Sequence, residues 1–179
     1  MLRAYPAGGP HGAVHFHINL SGASINDDLF IDFLRDQLAA SGVPAESVCF
    51  EITETAAVSN LQRAARFINQ MRALGCEFAL DDFGSGLSSF RYLKHLPVDL
   101  LKIDGAFVKN MATDPVDRAM VASINQIGHV LGIRTVAEYV EDAQSLELLR
   151  ALGVDFAQGY HLGRPDLLET WMTPVRAAG

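Results

Sequence analysis

Three joints, Leu74-Gly75-Cys76, Leu131-Gly132-Ile133 and Leu152-Gly153-Val154, constrain this chain more than any other feature. In each, a glycine follows the last apolar residue of a helical stretch and a β-run begins at once. Glycine ends a helix in the left-handed conformation without the steric cost that a Cβ brings. Repeated short joints of this kind predict βα units with parallel strands. The periodicity agrees. Strands are expected at residues 14–18, 47–52, 76–80, 99–103, 133–137 and 154–157, with Phe16, Phe50, Phe78 and Phe156 in the core. Between them, apolar residues recur at helical spacing through Leu29 to Leu38, Leu61 to Leu74, Val116 to Leu131 and Leu146 to Leu152. A short helix is expected near Phe90 to Lys94 and a last one beyond Pro165.

Residues 1–12 hold Pro6, Gly8, Gly9, Pro10 and Gly12, carry no period and read as a flexible lead-in. No linker divides residues 13–179, which read as one α/β domain. Six βα units between residues 13 and 165 average about 26 residues, whereas a closed eight-stranded α/β barrel takes ~250 in all. The chain is thus about two units short of a closed barrel, and an open doubly wound sheet fits the same pattern. Either way, unpaired sheet edges favour self-association, and a homodimer would cover them.

Composition removes several classes of function. Fourteen basic and 21 acidic residues give a net charge of −7, which argues against bulk nucleic-acid binding. With 49% hydrophobic and 20% charged residues the chain is globular rather than disordered. No apolar run approaches the ~18 residues of a membrane span, and Met1 to Pro6 has no secretory-signal pattern. Cys49 and Cys76 are too few for a disulfide scaffold and lie in strand-like runs, as buried thiols suited to a reducing cytoplasm.

The strand ends carry the chemistry. They deliver Asn19, then Glu51 and Glu54, Asp81 and Asp82, Lys102 and Asp104, Glu138 and Glu141, and finally Gln158. In a parallel α/β sheet these ends share one rim, where ligands bind. Carboxylates crowded there repel one another, and divalent cations relieve the repulsion. Hard oxygen donors suit Mg²⁺ or Mn²⁺. Asp81-Asp82 is a natural bridge between two ions, the arrangement that clamps a phosphodiester for in-line attack. Lys102 would add a fixed positive charge. For any one of Glu54, Asp104 or Glu141 the plainer reading is a cap on the following helix. His15 and His17 alternate on one strand face and read as packed or hydrogen-bonded more readily than as ligands. Tyr160 is placed to face a ligand or to pack, and Asp81 to Gly86 forms either a lid or a turn.

Taken in order, Asn19-Leu20-Ser21, Phe50-Glu51-Ile52-Thr53-Glu54, Asp81-Asp82-Phe83-Gly84-Ser85-Gly86, Leu101-Lys102-Ile103-Asp104, Val136-Ala137-Glu138-Tyr139-Val140-Glu141 and Gln158-Gly159-Tyr160 resemble the EAL domain, a family of bacterial cyclic di-GMP phosphodiesterases. The resemblance spans about residues 14–165. It implies a modified TIM-type (β/α) barrel, here incomplete with about six βα units, that opens cyclic di-GMP to linear pGpG with Mg²⁺ or Mn²⁺. It makes Asn19, Glu51 and Asp81 ligands of one metal, and Asp81 and Asp82 ligands of the other. Lys102 and Glu138 would position and activate water, and Glu54 would anchor the loop after Asp82. Asp104, Glu141, Gln158 and Tyr160 would stand on the substrate side of the rim.

The sequence departs from the family in having no Glu-Ala-Leu motif, whose glutamate is a further metal ligand. The family's first strands, one carrying an arginine that helps hold substrate, would precede residue 14. Their absence matches the two-unit shortfall and predicts impaired turnover. Tyr139 stands where the family commonly has glycine. The resemblance further implies a bacterial cytoplasmic location and a place within a larger sensory protein, without membrane contact by this segment. A non-catalytic cyclic di-GMP receptor or interaction module is the alternative.

Overall fold

In the computed structural model of the protein, residues 3–4, 15–84 and 90–166 are described. Their strands are β1 Arg3–Ala4, β2 Phe16–Leu20, β3 Val48–Thr53, β4 Glu77–Phe83, β5 Leu100–Ile103, β6 Arg134–Ala137 and β7 Phe156–Ala157. They pair in parallel as one sheet in the order β1-β7-β6-β5-β4-β3-β2. Among the described residues β1 and β2 are the two edges, so the sheet is open, an incomplete barrel rather than a closed one. All strand C-termini emerge on one side.

The central strands are apolar on both faces, as parallel strands covered on both sides must be. Every residue of β5 is buried, and five of the six in β3. On the outer face Phe50, Ile52, Phe78, Leu80, Leu101 and Ile103 join the main core under the helices. The Phe50 and Phe78 rings lie 5.6 Å apart, and Phe67 meets Phe78 edge-on at 6.1 Å. On the inner face Cys49, Ala79, Leu100 and Val136 form a smaller cluster backed by Phe156.

Seven α-helices are described: α1 Gly22–Ile25, α2 Asp28–Ser41, α3 Glu54–Ser59, α4 Leu61–Arg72, α5 Gly105–Asn110, α6 Pro115–Val130 and α7 Ala143–Leu152, and the short helix expected near Phe90 is a 3₁₀ helix, Phe90–His95. The long ones follow the sequence pattern. Helix α4 buries Ala64, Phe67, Ile68 and Met71, one stripe at 3–4 residue spacing. Truncating Phe67 to alanine would cost about 3–5 kcal/mol through lost contacts and a residual cavity. Helix α6 starts with Asp114 as cap and Pro115 in its first turn, where a missing N–H does no harm. The joint glycines 75, 132 and 153 all have positive φ, at 107°, 74° and 75°.

The three short helices α1, α3 and α5 have too few residues to display a period. Their signals are caps instead: Ser21, Thr53 and Asp104 each accept a backbone N–H of the first turn. One expectation is corrected. Arg3 and Ala4, assigned above to a lead-in, add a two-residue strand to the open edge of β7. The remainder of that segment, residues 85–89 of the glycine loop and the helix expected beyond Pro165 lie outside the described residues, apart from Asp166. Among the described residues no helix is long and apolar enough to cross a membrane.

Candidate active site

Register decides which side chains share the inner face. Asn19 lies beside Glu51 across β2 and β3, and Thr53 beside Asp81 across β3 and β4. Lys102 lies beside Val136, two residues before Glu138. In-register neighbours on parallel strands point the same way, as do residues two apart. Asp81 and Asp82 are adjacent and would ordinarily point to opposite faces. Between Leu80 and Phe83 strand β4 carries one residue more than β5 opposite it, and Asp82 takes a left-handed φ of 54°. A bulge of this kind re-aims side chains, and aspartate tolerates the conformation better than most residues. As a result Asp81, Asp82 and Glu138 each offer an oxygen, all within 4.8 Å of one another.

Lys102 holds the centre. Its Nζ is 2.8 Å from Glu51 Oε2, 2.7 Å from Asp81 Oδ1 and 2.9 Å from Glu138 Oε1. Burial alone would favour the neutral amine. The Glu138, Glu51 and Asp81 carboxylates outweigh it and hold the ammonium above the usual lysine range. Burial likewise pushes Glu51 toward protonation, but a 2.6 Å hydrogen bond from His17 Nδ1 and the Lys102 charge win, so its pKa falls. Glu138 goes the other way. Its burial exceeds the help from Lys102, and Asp81 and Asp82 add repulsion, so its pKa rises. Asp82 is also raised, by burial and then by Asp81 and Asp104.

The remaining sequence candidates fall around this cluster in different roles. Glu54, buried in the first turn of α3, accepts the Gly84 N–H at 3.1 Å and so ties down the chain just after Asp82. Tyr92, which the sequence did not single out, sets its hydroxyl beside Glu54. Burial and that carboxylate push its pKa above the ordinary phenol range. Asp104 caps α5 by accepting the Ala106 N–H at 2.7 Å. Glu141, Gln158 and Tyr160 line a cavity of about 260 Å³ together with Glu138, Tyr139 and Gly159. Asn19 is exposed on edge strand β2. His17, read as a packed or hydrogen-bonded residue, is the second group that fixes Glu51.

The donor set fits a hard divalent cation. Asp81 Oδ1 is buried beside Lys102 Nζ at 2.7 Å, and a carboxylate oxygen has a second lone pair, so it retains acceptor capacity. The nearby donors are carboxylate oxygens rather than thiolates.

Residues 1–165 match the EAL domain family. The chain belongs to this family. The match takes in the first 13 residues, which the motif reading left outside. Cyclic di-GMP phosphodiesterase PdeB of Shewanella oneidensis is 47% identical over 154 residues, covering 86% of this chain and 18% of that protein. PdeA of Borreliella burgdorferi, also named a cyclic di-GMP phosphodiesterase, is 37% identical over 166 residues, covering 92% of this chain and 25% of that protein. This EAL domain chain therefore spans a quarter or less of these curated relatives. Among solved structures, the PaMucR phosphodiesterase in complex with cyclic di-GMP superposes with a TM-score of 0.85 at 34% identity, covering 91% of this chain and 66% of that one. The Xanthomonas citri FimX EAL domain in complex with the same dinucleotide superposes at 0.80 and 32% identity, covering 87% of this chain and 61% of that one.

Proposed function

We propose that the chain is a cyclic di-GMP phosphodiesterase domain that opens the cyclic dinucleotide to linear pGpG by metal-dependent hydrolysis. The observation that carries this reading is the cluster of Asp81, Asp82 and Glu138 oxygens within 4.8 Å, locked to Lys102 and backed by Glu51. Asp81, Asp82, Glu51 and Asn19 would hold Mg²⁺ or Mn²⁺, with Glu138 within reach of the same ions. When bound, these ions supply Lewis-acid charge to the phosphodiester.

The chain's own residues do the rest. Lys102 Nζ, pinned between three carboxylates, presents a fixed positive charge where the phosphate gains negative charge during attack. Glu138, its pKa raised by burial, is a stronger base than an ordinary carboxylate and takes a proton from the attacking water. The water oxygen bonds to phosphorus, the P–O bond to one ribose 3′ oxygen breaks, and that oxygen takes up a proton from solvent to become the hydroxyl of linear pGpG. Glu54 steadies the backbone after Asp82 through Gly84. Glu141, Gln158 and Tyr160, on the cavity wall, would face the substrate, and Asp104, which caps α5, would support the same rim. The reading carries with it a bacterial cytoplasmic location and a place among the domains of a sensory protein. Because the sequence contains no Glu-Ala-Leu, one family ligand is not among its residues, and turnover is expected below that of an EAL domain carrying the motif.

A second reading, a receptor that binds cyclic di-GMP without cleaving it, is favoured by one observation. Both oxygens of Glu51 are already engaged, by His17 and by Lys102. Incubation of the purified chain with cyclic di-GMP and Mn²⁺, followed by chromatography, separates the two. The phosphodiesterase reading expects pGpG to accumulate, and to stop accumulating in Asp82→Ala. Binding with no product in any divalent metal would refute it and leave the receptor.

A further inference from the structure

Tyr139 breaks two rules at once. It is a bulky residue at a φ of 53°, a region that L side chains rarely enter, and it is 54% exposed. A strained, exposed aromatic contributes little to a core, so its conformation is maintained by what surrounds it. Its ring rests on α5. Lys109 Nζ lies 4.3 Å from the ring centroid, and a Cβ at Gly105 would overlap the ring. Gly105 and Lys109 are four residues apart and so lie on one face of α5. From behind, the Val140 N–H donates to the Gln158 carbonyl at 3.0 Å, and the His161 N–H donates to the Val140 carbonyl at 3.0 Å. These bonds clamp the segment after Tyr139 against the segment around Gly159, whose lack of a Cβ permits the close approach.

With one side of its ring against α5, the half-exposed Tyr139 is among the residues that line a cavity together with Glu138, Glu141, Gln158 and Tyr160. Tyr160 stands on the same cavity, 59% exposed, with Arg164 placed 5.2 Å from its ring centroid. Glu138 joins this cavity to the acidic cluster, so a ligand whose phosphate reaches the cluster can place a base here. Exposed aromatic faces beside a phosphate site are how single nucleotides are gripped, because every base has a π-face.

We infer that Tyr139 is a base-stacking residue, whose ring packs against a guanine of the cyclic dinucleotide while the phosphate lies at the acidic cluster. This deepens the phosphodiesterase reading and rests on it.

Calorimetric titration of the intact chain with cyclic di-GMP in chelator tests the assignment without turnover. The variants are Tyr139→Phe, Tyr139→Leu and Tyr139→Gly, each with a thermal melt. Tyr139→Phe keeps the ring and should bind within about twofold of wild type. Tyr139→Leu and Tyr139→Gly should lose at least about fivefold, up to about 150-fold, the range that one stacked base is worth. Tyr139→Gly should melt close to wild type, because the strain relieved at the positive φ offsets the ring packing lost on α5. Weaker binding without loss of stability is a combination that a purely structural tyrosine cannot produce. Binding by the Leu or Gly variant within twofold of wild type overturns the stacking role alone. Failure of wild type to bind both in chelator and in a parallel titration with Mn²⁺ overturns the nucleotide reading beneath it.

Discussion

Replacing Lys102 with methionine probes the rim at its centre. Methionine keeps an unbranched stem of similar length and removes the charge. The ammonium lies within 2.9 Å of Glu51, Asp81 and Glu138, and only 5% of the side chain is exposed. Removing one partner of a buried ion pair costs about 3–5 kcal/mol, because the charge left behind loses its compensation. Three carboxylates are left behind here, so the upper part of that range, about 4–5 kcal/mol, applies. A chain of this size loses about 2–4 °C of melting temperature per kcal/mol, giving a drop of about 8–20 °C in chelator. Divalent cations should then reverse much of the loss. A metal at a hundred times its Kd returns about 2.7 kcal/mol, and in the variant it no longer competes with an ammonium for the same oxygens. Thermal melts followed by circular dichroism, in chelator and across a Mn²⁺ series, read both effects. Wild type should gain less from Mn²⁺ than Lys102→Met. A variant that melts within about 2 °C of wild type in chelator would refute the charge argument. A larger Mn²⁺ gain in wild type would refute the idea that lysine and metal share these oxygens.

Other consequences are independent of the metal. A Cβ at Gly159 would overlap the Val140 backbone, which cannot swing aside as a side chain can. Gly159→Ala should therefore cost about 1–3 kcal/mol by overpacking and weaken cyclic di-GMP binding, measured by melting and titration; an unchanged melt would exclude the close approach. Asp155 accepts from the Thr135 N–H at 2.8 Å and pairs with His129 Nε2 at 2.8 Å, tying α6 and β6 to the start of β7. Burial would raise its pKa, but the Thr135 N–H and His129 prevail and lower it. A depressed carboxylate stabilises the fold above its unfolded value, about 3.9, and loses that contribution as the pH falls through the folded value. Asp155→Asn should thus lower the melting temperature near neutral pH, with the gap from wild type closing below about pH 4; a constant gap would remove the linkage. Cys49 is raised well above the usual thiol range by burial and by the Glu51 charge, and Cys76 is pushed up to about 11 by burial. Both should resist a thiolate-specific reagent at pH 8 until the chain is unfolded, and rapid labelling of the native protein would contradict their burial.

How much of this was legible in the sequence depends on how local each signal is. A joint glycine is local: it ends its own helix, and three of them sufficed to imply parallel strands and one shared rim. The convergence of Glu51, Asp81, Lys102 and Glu138 follows from that connectivity. The pairing of Asp81 with Asp82 on one side does not. It depends on the extra residue between Leu80 and Phe83, and a bulge is defined only by what β5 offers opposite it. The His17 bond to Glu51 needs the register of β2 on β3, which sets His17 against Cys49 and Asn19 against Glu51. The roles of the acids after each strand hinge on smaller differences still. Asp104 gives an oxygen to the Ala106 N–H and caps α5. One strand further on, the cap of α7 is Asp142, which accepts from Ser145 N at 2.7 Å. Its neighbour Glu141 is left on the cavity wall. Whether an acid serves a helix or a ligand is thus settled by the single residue at which the next helix begins, which spacing alone locates only to within a residue or two.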